Sequence, residues 1–405
     1  MSDPIPHSGT EAHSGSASEV FWAFLKLGLI SFGGPVAHLG YFREAFVARR
    51  QWFDDKVYSE LVALGQFLPG PASSQVGFAL GLMRAGWLGA LAAFAGFTLP
   101  SALLMFGFAY GAPLLGGKWG EGLIHGLKIV AVAIVAQAVW GMARSLCPDR
   151  QRAGIALAAI AMVAFAGGAA GQISAIVAGA LAGLVLVRQE ADGRHVAFNV
   201  RVSRPVAIAA LVLFAFLLVG VPLAAGGLGG GLVLFDSFYR AGALVFGGGH
   251  VVLPLLQSGL VDPGFVSHSE FLAGYGAAQT IPGPLFTFAA YLGAITDPGP
   301  GGVVGALIAL AGIFLPGFLL MVGVLPFWAR VRQIGPARQM MAGANAAVVG
   351  ILAAALYDPV FVNAVVDPRD FALAALCFVL LTVFKAPSWI AVLVAALGGV
   401  CLAYL

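Results

Sequence analysis

Gln66-Phe-Leu-Pro-Gly-Pro-Ala-Ser-Ser-Gln75 interrupts an otherwise apolar run, and its centre returns as Gln279-Thr-Ile-Pro-Gly-Pro284. Neither Pro69-Gly70-Pro71 nor Pro282-Gly283-Pro284 can lie inside a continuous helix. Proline has no N–H for the helical ladder, and its ring crowds the preceding turn. Within a membrane, backbone freed from its ladder is tolerated only where protein buries it or it lines a cavity. Each triplet is therefore expected to supply half of a binding site.

The surroundings of the triplets fix the class. The residues AVILMFWYC make up 60% of the chain and charged residues 10%, with 56 glycines among 405 residues, which is too apolar and too Gly-rich for a soluble domain. The chain reads as an all-α polytopic membrane protein in a lipid bilayer, with length for roughly a dozen apolar segments of ~20 residues. The net charge of +3 sits in short connectors rather than on one face, so nucleic acid is not an expected partner. Cys147, Cys377 and Cys401 show no metal or disulfide spacing. No Walker loop and no Ser-His-Asp arrangement is present, which points away from ATP hydrolysis and enzymatic catalysis; no metal or cofactor is expected.

Further out, the sequence repeats. Phe21-x-x-Phe24-x-Lys26-x-Gly28-x-x-x-Phe32-Gly33-Gly34 matches Phe235-x-x-Phe238-x-Arg240-x-Gly242-x-x-x-Phe246-Gly247-Gly248 at an offset of 214. Gln66 and its triplet match Gln279 and its triplet at 213, Leu99-Pro100 matches Leu315-Pro316 at 216, and Gly126 matches Gly343 at 217. Ordered anchors at nearly fixed offsets imply two homologous halves. We divide the chain into a disordered tail (1–18), a first repeat (19–187), a basic connector with a linking helix (188–230) and a second repeat (231–405). The connector carries Arg188, Arg194, Arg201 and Arg204. Residues 153–187 exceed one span and, interrupted by Gly167-Gly-Ala-Ala-Gly171, read as two short helices.

Charge orients the halves. Arg43, Arg49, Arg50 and Lys56 occupy a connector whose second-half equivalent has no basic residue, whereas the loop with only Lys118 corresponds to one with Arg330, Arg332 and Arg338. Every paired loop reverses its bias, as an inverted repeat requires. Counting segments between basic loops makes the first-half Pro-Gly-Pro segment and the second-half Phe-Gly-Gly segment re-entrant hairpins.

Opposed hairpins would bring helix N-termini together near the midplane, where unpaired N–H groups suit an anion. Gly33, Gly34, Gly247, Gly248 and Gly249 allow close backbone approach, with Pro35, Pro69, Pro71, Pro282 and Pro284 as the breaks. Gly70 and Gly283 at the triplets, with Gln66, Ser73, Ser74, Gln75, Gln279 and Thr287 around them, are candidate donors. Lys26 and Arg240, at equivalent positions in apolar surroundings, and Lys128, replaced by Asn345 in the second half, are candidate cations. His38 and His250 are candidates for coupling a proton to transport, His250 also for binding. Tight helix packing would explain the glycines equally, and snorkelling or a buried ion pair the cations. Glu44 and Glu60 read as salt-bridge partners.

Phe32-Gly-Gly-Pro35 with His38, Trp52 and Asp55, Gln66-x-x-Pro-Gly-Pro71, Phe246-Gly-Gly-Gly-His250 with Val251-Val-Leu-Pro254, and Pro282-Gly-Pro284 together resemble the chromate ion transporter family in its long, two-domain form. The likeness extends from Ser18 to Leu405. It implies a bacterial inner-membrane secondary transporter that exports chromate, driven by the proton gradient or membrane potential, and so confers chromate resistance. Sulfate, a tetrahedral dianion of similar size, is the alternative substrate. A membrane-embedded enzyme or assembly component is the alternative of another class, and the sequence leaves a homodimer open.

Overall fold

The computed structural model describes residues 15–187, 202–225, 229–297 and 299–405. The expected tail therefore falls mostly outside the described residues, as do residues 188–201 of the basic connector. The described residues are helical, and most of the helices pair off between the two repeats.

In the first half, α1 (Ala17–Ile30) and α2 (Gly34–Arg43, continued by a π-helical turn Glu44–Arg49) flank the Phe32-Gly-Gly turn. Next come α3 (Asp55–Phe67), α4 (Ala72–Gly111), α5 (Gly117–Leu146), α6 (Arg150–Ala166) and α7 (Gly168–Leu186), and then α8 (Arg204–Ala225) links the halves. In the second half, α9 (Gly230–Leu244), the short α10 (Val252–Leu256) with a π-helical turn Gln257–Val261, α11 (His268–Ala278), α12 (Phe288–Ile295) and α13 (Gly302–Val324) repeat the hairpin region. The one-turn α14 (Trp328–Val331), α15 (Gly335–Ala355), the one-turn α16 (Val362–Ala364), α17 (Pro368–Thr382) and α18 (Ser388–Ala403) complete the chain. Local chemistry sets several starts: Ser16, Asp54 and Asp149 each accept a backbone N–H as N-cap, and Ser267 and Asp367 form capping boxes.

α4 reverses within its length. Ala85 (φ −139°, ψ 24°) and Gly86 (φ 66°, ψ −157°) leave helical space, so limbs 72–84 and 87–111 fold back on each other. A Cβ on Gly81 would lie 2.3 Å from the Gly89 carbonyl oxygen. In the second half α12 and α13 repeat this contact, with a Cβ on Gly293 2.3 Å from the Gly305 oxygen. These glycines serve backbone packing, the membrane use of small residues.

Both motifs of the first half form hairpins that return to one end of the molecule. Phe24 packs on Phe42 and Phe46 across the Phe-Gly-Gly turn. Phe46 stacks on Trp52, Arg84 lies over that indole, and Arg84 also pairs with Glu19. Residues 19, 52 and 84 thus share one end. The Pro-Gly-Pro hairpin agrees with the expectation from charge counting; the first-half Phe-Gly-Gly hairpin goes beyond it, because a 14-residue helix and a limb of 10 α-helical plus 6 π-helical residues are each too short to cross ~30 Å of hydrocarbon.

The inversion is visible in the long helices. Gly302 at the start of α13 lies beside Tyr110 near the end of α4, and Phe94 packs on Phe314 and Phe318. At the opposite end, Glu60 accepts from Trp328 Nε1 at 3.0 Å and pairs with Arg332. α4 and α13 are therefore antiparallel, and Arg330 and Arg332 join the first-half basic connector on one basic end.

The halves also exchange helices. α5 packs on α17 and α18 of the second half, and α15 on α6 and α7 of the first. The crossings are pseudo-equivalent: a Cβ on Gly126 would stand 2.1 Å from the Ala395 oxygen, and one on Gly343 2.0 Å from the Gly179 oxygen. Among the described residues, six helical stretches are long and apolar enough to cross a membrane (72–114, 117–146, 168–186, 204–223, 302–331 and 335–364). The chain is a multi-pass membrane protein, and residues 150–186 form the two helices expected.

Candidate anion site

The four turns meet at the centre through two reciprocal hydrogen bonds. Gly70 N–H donates to the Val245 oxygen at 2.7 Å, and Gly283 N–H donates to the Ser31 oxygen at 2.9 Å. Ser31 and Val245 each precede the Phe-Gly-Gly turn of their half, so each Pro-Gly-Pro tip is tied to the other half's turn. The N–H groups of Gly70 and Gly283 are thereby occupied rather than turned to a ligand. Gly70, at φ +123°, approaches Gly317 of α13 so closely that a Cβ would meet its Cα at 3.1 Å.

A cavity of about 230 Å3 adjoins this junction. Its walls come from Gly33, Gly34 and Pro35 of the first turn, Ile134 and Gln137 of α5, His250, Gln279 and Gly283 of the second half, and Leu381, Pro387 and Ser388 at the α17–α18 turn. The volume accommodates several waters of about 30 Å3 each. α2 and α18 both start at this cavity, and neither start carries a side-chain cap. Gly33, at φ +101°, and Gly34, at φ +78°, hold the backbone in the left-handed region at the α2 start. Gln279 lines the cavity, and its side-chain Nε2 is buried with no hydrogen-bond partner among the described residues. Gln137 Nε2 donates to the Leu381 oxygen at 3.3 Å, and Ser388 Oγ donates to the Gln279 oxygen at 3.0 Å. The lining contains no carboxylate. Uncapped helix starts and free amide hydrogens without an opposing acid make an electropositive pocket from neutral groups.

The structure sorts the sequence candidates into groups. Gly33, Gly34, Pro35, His250, Gln279 and Gly283 line the cavity together. His38 is buried beneath it: Nε2 faces the Ser31 oxygen at 3.2 Å and Nδ1 faces Ser73 Oγ at 3.3 Å. A carbonyl only accepts, so Nε2 carries the proton and Nδ1 accepts from the Ser73 hydroxyl. His250 Nδ1 lies 2.6 Å from the Tyr275 hydroxyl. Ser74 Oγ is buried without a hydrogen-bond partner, while Thr287 Oγ1 donates locally to the Pro284 oxygen. Gly247, Gly248 and Asn345 lie near Met142 and one another, outside the cavity lining.

Other candidates are not brought in. Gln66 is exposed, and Lys26 lies on the exposed face of α1 beside Trp22, Leu29 and Ile30. Lys128 sits six residues from Ile134, about 9 Å along α5 toward the other end. Near it, His125 Nε2 pairs with Asp370 Oδ1 at 2.7 Å. Arg240 is bound to Asp236, one turn earlier on α9. Sequence reading missed Gln137, Leu381 and Ser388, for which no motif gave a signal. It also missed Asp236, which did give one: it is an acid within an apolar segment, four residues before Arg240.

A family model described as "Chromate transporter" matches residues 18–185 and again 232–400. A chromate transport protein of Pseudomonas aeruginosa is 30% identical over 350 residues, covering 85% of this chain and 81% of that protein. A probable chromate transport protein of Synechococcus elongatus is 29% identical, covering 82% of each chain. A chromate transport protein of Cupriavidus metallidurans is 27% identical, covering 95% of this chain and 94% of that protein. No solved structure matches the chain.

Proposed function

The chain belongs to the chromate transporter family, and from that premise we propose that it is a secondary active exporter of chromate in a bacterial inner membrane. The observation that carries this reading is the cavity at which two side-chain-uncapped helix starts, α2 and α18, converge with Gln137, Gln279 and Ser388 and no carboxylate. The inside-negative membrane potential, or a proton gradient, drives a dianion outward, and lowering cytoplasmic chromate confers resistance. The basic end faces the cytoplasm by the positive-inside rule. Rocking of one half against the other, about the reciprocal Gly70–Val245 and Gly283–Ser31 bonds, opens the site alternately. Lys26, Arg240 and Lys128 act on the anion along its path rather than within this cavity, and among the described residues His250 lines the cavity and His38 bonds to the Ser31 oxygen that Gly283 also reaches.

Neutral backbone and amide donors distinguish one tetrahedral dianion poorly from another, which favours sulfate as a second cargo. Chromate uptake into everted membrane vesicles, with sulfate as competitor and an uncoupler as control, tests both readings. Uncoupler-sensitive chromate accumulation that sulfate reduces by competition is the expected result, and weak competition would mean that the site separates the two dianions. Accumulation of sulfate in preference to chromate would reverse the substrate assignment. Gln279→Leu removes the free amide donor and should lower chromate uptake about tenfold at unchanged protein level, the effect of losing ~1.4 kcal/mol of hydrogen bonding.

A further inference from the structure

A second cavity of about 270 Å3 lies between α7 and the α9 hairpin, apart from the site just described. Gln172, Ser237, Arg240, Leu244, Ser258 and Phe265 contribute to its walls. Arg240 Nη2 donates to Asp236 Oδ2, and the two side chains differ sharply in access: Arg240 is 40% exposed and Asp236 5%. The other carboxylate oxygen, Oδ1, is buried and has no hydrogen-bond partner among the described residues. A buried carboxylate with a bare oxygen keeps its charge only while a cation compensates it. If Arg240 turns to another anion, that compensation is lost unless a proton replaces it.

Among the described residues, the elements packed around Asp236 bring no second cation to it. α7, α10, α13 and the turn Gln257–Val261 contain no titratable side chain, α8 carries only Arg204 at its start, and Asp262 follows the π-helical turn. On α9 itself, the Tyr239 hydroxyl is bound to the Phe214 oxygen. The Ser237 and Ser258 hydroxyls, now on backbone carbonyls, are rotors that can turn to a ligand.

We infer that Asp236 and a tetrahedral oxyanion compete for Arg240 in this cavity, so that a proton on Asp236 and an oxyanion on Arg240 bind together. The inference rests on the oxyanion-transport reading and adds a carried proton to it. The guanidinium offers paired N–H donors that match two oxyanion oxygens, and the proton goes to the bare Oδ1, which is buried outside the cavity lining and is reached as Arg240 turns away from the carboxylate. One proton carried with a dianion leaves one net negative charge, which an inside-negative potential still expels. In the first half Trp22 and Lys26 stand at the positions of Asp236 and Arg240, so the device exists once.

Binding of labelled chromate to the purified full-length chain across mildly acidic to mildly alkaline pH, in native, Asp236→Asn and Arg240→Gln forms, tests this. Protonation of free chromate is common to all three and cancels in their ratios. The native affinity relative to Asp236→Asn should fall as pH rises, by up to about tenfold per pH unit, the limit for one linked proton. Arg240→Gln should lose the pH-linked component. Superimposable profiles for the native chain and Asp236→Asn, or an unchanged linked component in Arg240→Gln, would overturn the inference and leave the transport reading intact. If Asp236→Asn does not fold, the native chain decides: in lightly buffered alkaline medium, where free chromate carries no proton, its addition should draw protons from solution, and no uptake overturns the inference. A native chain that binds neither chromate nor sulfate sinks the transport reading as well.

Discussion

The two Phe-Gly-Gly hairpins share a backbone plan and differ in what covers them. On the first, Trp22 is 64% and Val36 81% exposed; at the matching positions of the second, Asp236 is 3% exposed and His250 lies partly buried. The second hairpin is enclosed by α7 and by α8, the linking helix that has no counterpart in the first half. Duplication thus kept the turns and their reciprocal hydrogen bonds while the flanking chemistry diverged. An uncovered Lys26 on one side corresponds to a covered Asp236–Arg240 pair on the other. Symmetry in such a fold resides in backbone contacts, which tolerate few alternatives, and asymmetry in side chains that face cavities.

The sharpest way to break this comparison is at the exchanged crossings. Gly126→Leu and Gly343→Leu each place a side chain where a Cβ alone already overlaps a backbone oxygen, and each should cost roughly 3 kcal/mol or more. Thermal melting of the detergent-purified protein should show both collapsing alike, and a tolerated member would mean that the exchange is not equivalent. Next in size is the tie between the halves at the basic end. Glu60→Ala strands the Arg332 guanidinium, 14% exposed, and the Trp328 indole N–H, at a cost of about 2–3 kcal/mol. Glu60→Gln should restore part of that by accepting from Trp328.

A smaller effect separates the hairpin interiors. His38→Val gives the first half the residue that the second carries as Val252, and deprives Ser73 and the Ser31 carbonyl of a partner. The expected loss is about 1–2 kcal/mol in the same melting assay. The smallest is Asp55→Asn, whose pair with Arg43 is more than half exposed on both sides; melting temperature and vesicle uptake should stay at native values.

Much of this architecture could be read from residues alone. Apolar composition required a membrane, fixed offsets required two halves, and reversed charge in paired loops required their inversion, because each depends on local chemistry repeated along the chain. The Pro-Gly-Pro breaks located the hairpin tips for the same reason: proline removes a ladder donor whatever its neighbours are. The first-half Phe-Gly-Gly reversal was not legible, since charge counting needs a charged loop on each side and residues 1–18 contain no Lys or Arg.

Only tertiary structure decided which groups share the cavity. Gly70 and Gly283 looked like ligand donors until their N–H groups proved to be bound to Val245 and Ser31 of the opposite half. Gln137, Leu381 and Ser388 enter because α5 crosses α17 and α18, contacts more than 240 residues apart in the chain that no local pattern encodes. Lys26, singled out by its apolar surroundings, ends on an exposed helix face, because a sequence fixes a residue's helical phase but not what packs against it. The residues thus determined where the backbone breaks and how the halves are oriented, and the long-range packing of small residues decided which broken ends meet and what they face.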